Sequence, residues 1–140
     1  MRIRIRKLHA DVIVPSYAHP GDAGLDVFSR EDVTLASNER HIFALGFEAE
    51  LPDGTVALVW DKSGLASKKG LKTMAGVIDA SYRGEWFVTL HNTDVQAYQI
   101  RKGDKIAQIL IQKVERAVIE ESRTLQDSER ASGTMGSSGR

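Results

Sequence analysis

Asp79 and Tyr82 are the side chains of this sequence whose setting most invites chemistry. The stretch Gly76 to Trp86 reads Gly-Val-Ile-Asp-Ala-Ser-Tyr-Arg-Gly-Glu-Trp. An apolar pair, Val77-Ile78, delivers the Asp79 carboxylate to the tip of a strand pattern, and Tyr82 follows just before the turn-prone Arg83-Gly84. A second strand pattern, Trp86-Phe87-Val88-Thr89-Leu90, comes next, so the spacing predicts a hairpin. A carboxylate and a phenol at its apex suggest a small pocket between the arms, Asp79 as base and Tyr82 as a flat wall. A plain turn is the competing reading, because Asp and Gly are common turn residues.

Three other clusters carry polar chemistry. Asp61 to Gly70 breaks the strand rhythm; Asp61 or Ser63 can cap a short helix there and Gly70 can end it. Lys62, the Ser63 hydroxyl and the free N–H groups of the helix start make an anion cradle, although an ordinary capped turn explains the same residues. Asp26 lies between Leu25 and Val27, on the opposite face of an alternating strand, and Asp22 reads as an Asx-type turn. Gln108 interrupts the apolar strand Ile106 to Ile111 and must find partners in the core or on a ligand.

These residues need a scaffold, and its pattern is β. Arg2 to Leu8 alternates basic and apolar residues with period two. Val33 to Leu35, His41 to Phe47 and Thr55 to Trp60 follow as strands, with Leu51-Pro52-Asp53-Gly54 marking a turn. Short strands with frequent turns point to an all-β sandwich or barrel with one short helix. From Glu121 onward apolar residues thin out, and the Gly/Ser-rich end predicts a flexible tail in which Arg130 and Arg140 could meet phosphate.

Composition narrows the function. The 140 residues suit one domain with a core. Nineteen basic and nineteen acidic side chains cancel, which argues against a nucleic-acid or membrane partner. The absence of cysteine removes disulfides, thiolate metal sites and a Cys nucleophile. His9, His19, His41 and His91 lack ligand-like spacing. Without a membrane-length apolar run or a signal-peptide core, a soluble cytoplasmic protein is expected.

Taken in order, the segments resemble the five motifs of the trimeric all-β dUTPase family. Ala23-Gly24-Leu25-Asp26 resembles the first and Lys62-Ser63-Gly64-Leu65-Ala66 the second. Gly76 to Gly84 resembles the third, Gly103-Asp104-Lys105-Ile106-Ala107-Gln108 the fourth, and Arg130 to Gly139 the glycine-rich fifth. The resemblance implies a distorted jelly-roll over residues 1–125, a C-terminal arm over 126–140, and a homotrimer whose sites combine motifs from different subunits. It also implies Mg²⁺-assisted hydrolysis of dUTP to dUMP and pyrophosphate, which limits uracil in DNA and supplies dUMP for dTMP synthesis.

Carried over residue by residue, Asp79 activates the water that attacks the α-phosphorus. Tyr82 lies against the deoxyribose, and the backbone of Gly76, Val77 and Ile78 reads uracil. Lys62, Ser63, Gly64 and Gln108 hold phosphate, Asp26 acts on the metal through water, and Arg130 meets the terminal phosphate. Met135, Gly136 and Ser137 close over the nucleotide. Lys62 stands where the family usually has Arg, and Met135 where it usually has Phe over the base. Ala131 and Thr134 replace usual glycines. Rival readings are a dCTP deaminase on the same fold, a nucleotide-binding regulator, and a structural jelly-roll trimer.

Overall fold

The computed structural model describes residues 1–128 and 132. Arg130, Met135, Gly136 and Ser137 therefore lie outside the described residues. The strands run β1 (Arg4–Lys7), β2 (Leu25–Phe28), β3 (Val33–Leu35), β4 (Arg40–Glu50) and β5 (Thr55–Trp60). After the helix α1 (Ser63–Lys69) come β6 (Leu71–Met74), β7 (Val77–Asp79), β8 (Glu85–Asn92), β9 (Tyr98–Ile100) and β10 (Lys105–Lys113).

Alternation along β8 shows how the layers form. Trp86, Val88, Leu90 and Asn92 turn inward and are buried, while Phe87 faces out. Phe43, Phe47, Trp86 and Leu90 from one four-stranded sheet (order β1-β4-β8-β6) share a single core with Val27, Ala57, Ile106 and Ile109 from the other (β2-β10-β5-β7). Each Val, Leu, Ile or Phe side chain among them contributes about 1.5–3 kcal/mol on leaving water. The Phe47 and Trp86 rings meet tilted, centroids 5.5 Å apart. A small β3-β9 ladder completes an open-sheeted, jelly-roll-like all-β fold. No helix among the described residues is long and apolar enough to cross a membrane.

Two sequence expectations are corrected. Gly76 to Trp86 is not a hairpin: β7 pairs with β5 in one sheet, whereas β8 pairs with β4 and β6 in the other. Both edges of β8 are already occupied, so β7 has no place beside it. The turn into β7 is made by Ala75 (φ 61) and Gly76 (φ 113), successive residues in the left-handed half of backbone space.

The helix start also differs. Lys62 is the N-cap, with no side-chain capping bond; Asp61 instead accepts from Thr73 N–H and Oγ1, both at 2.6 Å. Three donors from β6, counting Lys72, outcompete the helix for that carboxylate. Gly70 ends the helix as expected, at φ 61, its N–H donating to the Leu65 carbonyl.

Candidate active site

Because β7 and β8 part into different sheets, a cleft opens between them with a volume of about 280 Å³. Gly76, Ile78, Asp79, Tyr82, Phe87 and Thr89 are among its lining residues. Gly76 approaches β5 closely: Val59 N–H donates to its carbonyl at 2.8 Å, and an added Cβ would sit 2.9 Å from that of Val59. Only glycine fits there.

Tyr82 is held on three sides. Its N–H donates to the Asp79 carbonyl at 3.0 Å, its hydroxyl donates to the Glu85 carbonyl at 3.0 Å, and its ring covers Gly84. Arg83 fastens the same turn by donating to the carbonyls of Ala80 and Tyr82 at 2.6 and 2.9 Å. The Glu85 carboxylate is committed elsewhere, accepting the Gly46 N–H at 2.8 Å across the β4 irregularity. That bond braces the cleft wall, which Glu85 also lines, against β4.

A second, cationic centre forms where β2, β10 and the start of α1 meet. Asp26 is 2% exposed, with Lys62 Nζ 2.5 Å from Oδ1 and Lys105 Nζ 2.7 Å from Oδ2. Burial alone would raise the Asp26 pKa, but hydrogen bonds and charge from Lys105 and Lys62 outweigh it and hold the group below the ordinary 3.8. Gln108 pairs in register with Asp26, and its Nε2 donates to the Asp61 carbonyl at 2.8 Å. Gly24 makes room for that amide, since a Cβ there would come within 3.1 Å of the Gln108 Cβ. Ser63 and Gly64 lie exposed at the first turn of α1.

Lys105 was missing from the candidate residues, although it belongs to the segment that supplied Gln108. Its basic side chain ahead of an apolar strand was the available signal. Asp61 was weighed only as a cap, because its partners Lys72 and Thr73 are remote in sequence.

The structure unites Asp26, Lys62 and Gln108 in one centre and Gly76, Asp79 and Tyr82 in the other, but keeps the centres apart. Gln108 faces Trp60 across one side of β5, and Asp79 faces Val56 across the other. That separates them by roughly 10 Å over two strand spacings and about 13 Å from Trp60 back to Val56. The side chains are too short to meet around one phosphorus atom.

The sequence model of the family described as dUTPase matches residues 10–139. The chain belongs to the dUTPase family. It is 46% identical over 142 residues to the deoxyuridine 5'-triphosphate nucleotidohydrolase of Thermobifida fusca (strain YX), covering 99% of this chain and 79% of that relative. The solved dUTPase of Staphylococcus bacteriophage 80alpha, a mutant with dUpNHpp, superposes with a TM-score of 0.93 at 26% identity, covering 99% of each chain. A dUTPase mutant from phage phi11 of S. aureus, described as revealing the coordination of a structural Mg(II) ion, gives 0.84 at 25% identity, over 91% of this chain and 100% of that one. The family match spans the residues of both centres.

Proposed function

We propose that the chain hydrolyses dUTP to dUMP and pyrophosphate, with Asp79 taking the proton of the water that attacks the α-phosphorus as pyrophosphate leaves. The observation that carries this reading is the β7–β8 cleft, with Asp79 in its wall and Tyr82 pinned flat over Gly84. The peptide groups of the Gly76 to Ile78 stretch that β5 leaves unpaired would hydrogen-bond the uracil edge, the Gly76 carbonyl being already held by Val59 N–H. Tyr82 packs against the deoxyribose and leaves no room for a 2′-hydroxyl. The phosphate side of a site is formed by Lys62, Ser63, Gly64 and Gln108, joined by Lys105.

When bound with the substrate, Mg²⁺ would supply charge neutralisation on the triphosphate. No group of three or more His, Cys, Asp or Glu side chains converges among the described residues. A hard cation that keeps several waters and takes phosphate oxygens fits that arrangement, with Asp26 reaching it through water because both carboxylate oxygens are engaged by lysines.

The separation of the two centres supports a homotrimer in which Asp79 of one subunit works on phosphate held by the Lys62 and Gln108 of another. Past β10 the chain adds a second argument. Val118, Ile119 and Leu125 are 95%, 89% and 90% exposed in a segment without regular structure. Apolar side chains in a row at such exposure call for a cover, and a neighbouring copy supplies it. Residues 126–140 then act as an arm over the neighbour's nucleotide, with Arg130 on the terminal phosphate and Met135, Gly136 and Ser137 closing the site.

Pyrophosphate release with Mg²⁺ from dUTP, dTTP, dCTP and UTP tests the proposal. Turnover confined to dUTP is expected. Binding of dUTP without turnover would transfer the reading to a nucleotide-binding regulator, and ammonia release from dCTP would transfer it to a deaminase.

A further inference from the structure

The β5–α1 junction holds a carboxylate that touches neither substrate cleft nor helix end, yet has more partners than any nearby side chain in the site. Asp61 Oδ1 accepts from Thr73 N–H and Thr73 Oγ1, each at 2.6 Å, and Oδ2 meets Lys72 Nζ at 2.5 Å. Its carbonyl accepts from Gln108 Nε2 at 2.8 Å. The side chain is only 19% exposed. A carboxylate receiving several hydrogen bonds, one from an ammonium, is held in one orientation.

What it holds matters because of the neighbouring turn. Ala75 sits at φ 61, a conformation that an L side chain resists and that persists only where the surroundings enforce it. The end of β5 grips the chain on both sides of this residue. Asp61 fastens Thr73 ahead of it, and Val59 N–H fastens the Gly76 carbonyl behind it at 2.8 Å. Gly76 opens the wall of the base cleft. In the other direction, Asp61 is bonded directly to Lys62 in sequence and to Gln108 through its carbonyl, and both lie on the phosphate side.

We propose that Asp61 is a positioning residue for the dUTP reaction: by clamping β6 ahead of the Ala75–Gly76 turn with its carboxylate it sets the geometry of the base cleft, while its main-chain carbonyl ties the same junction to Gln108 on the phosphate side. This rests on the dUTP reading of the cleft. Asp61 contacts no reacting atom, so loss of its carboxylate acts through the β6 clamp and the peptide groups of Gly76 to Ile78; the bond from Gln108 goes to its main-chain carbonyl and persists in every variant.

The test compares Asp61→Ala, Asp61→Asn and Thr73→Val. In Asp61→Ala the turn loosens, so kcat/KM for dUTP falls about tenfold and the dUTP:dCTP preference narrows about fivefold, the scale of a misplacement near a reacting centre. Asp61→Asn keeps an oxygen for both Thr73 donors but turns an N–H donor towards Lys72, so it falls between the parent and Asp61→Ala. Thr73→Val removes one donor at constant shape and shifts the preference in the same direction as Asp61→Ala.

Hydrogen exchange read by mass spectrometry tests the clamp independently of activity. The amides of residues 74–77 exchange about tenfold faster in Asp61→Ala than in the parent protein, while β8 amides keep their protection. An unchanged base preference together with unchanged exchange in Asp61→Ala would overturn the proposal, and so would an Asp61→Asn variant as impaired as Asp61→Ala. Should Asp61→Ala fail to fold, Thr73→Val decides the matter by the same two readouts. If the parent protein itself does not turn over dUTP, the dUTP reading falls, and the exchange comparison still decides whether Asp61 holds the turn.

Discussion

The ring of Tyr82 lies so close over Gly84 that a Cβ on the glycine would come within 2.6 Å of the tyrosine Cζ. The phenol is thus placed by the absence of a side chain on a neighbouring residue as much as by its own bond to the Glu85 carbonyl. Gly84→Ala must displace the ring. In the proposed reading Tyr82 is the wall that discriminates against a 2′-hydroxyl, so the ratio of kcat/KM for dUTP over UTP should fall about tenfold in Gly84→Ala. An unchanged ratio would remove Tyr82 from sugar selection.

Asp79→Asn preserves the size of the side chain and removes its basicity. Turnover of dUTP should fall at least a hundredfold, the usual scale for loss of a general base, while dUTP affinity stays within about twofold. Equilibrium binding of a non-hydrolysable analogue, measured beside pyrophosphate release, separates the two effects. Retained turnover would take Asp79 out of the catalytic role.

The Asp26 centre should register in acid. Its folded pKa is depressed, so the stabilisation from Lys62 and Lys105 is fully present above the unfolded value of 3.8 and is lost as pH falls through that value towards the lower folded one. Asp61, depressed by Lys72 and Thr73 despite its burial, titrates in the same direction. Thermal unfolding followed against pH should show a steep decline below 3.8 that is shallower in Asp26→Asn. At neutral pH that variant should be less stable by about 2 kcal/mol, between an exposed pair and a fully buried one, because the lysines remain partly in water. Equal acid slopes in the two proteins would show that the ion triad contributes nothing.

Placing a carboxylate at Val118 and Ile119 probes the assembly. The double variant Val118→Asp, Ile119→Asp changes side chains that are almost wholly exposed in the single chain, so the fold of each subunit should be unaffected. The proposed trimer covers those positions, so sedimentation should report a lower mass for the double variant together with loss of dUTP turnover. An unaltered mass and activity would mean that this segment covers nothing.

Much of the scaffold was legible because its information is local. Alternation in Trp86 to Leu90 and the turn at Pro52-Asp53-Gly54 depend on near neighbours, and Gly70 closes its helix as a left-handed cap should. Asp79, Tyr82 and Gly76 were legible as a group because their spacing within one segment carries the pattern. The pairing of β7 was not, since strand order depends on which edges remain free after distant strands have docked. Asp61 was misread for the same reason: its partners Lys72 and Thr73 arrive from β6 only once the helix has turned the chain back. Lys105 could be placed on Asp26 only when β10 was set beside β2.

The split of β7 and β8 between sheets has an effect beyond the cleft it creates. The two walls that would grip a base are carried by opposite layers of the sandwich, so the gap between them is governed by the thickness of the shared core. Phe47, buried behind the β8 wall, packs at a tilt against Trp86, which lines the cleft together with Phe87 and Thr89. A change in the volume of the Phe47 side chain would therefore reach a bound nucleotide as a change in jaw width, and selectivity for a small pyrimidine would be altered from within the core without touching a residue that lines the cleft.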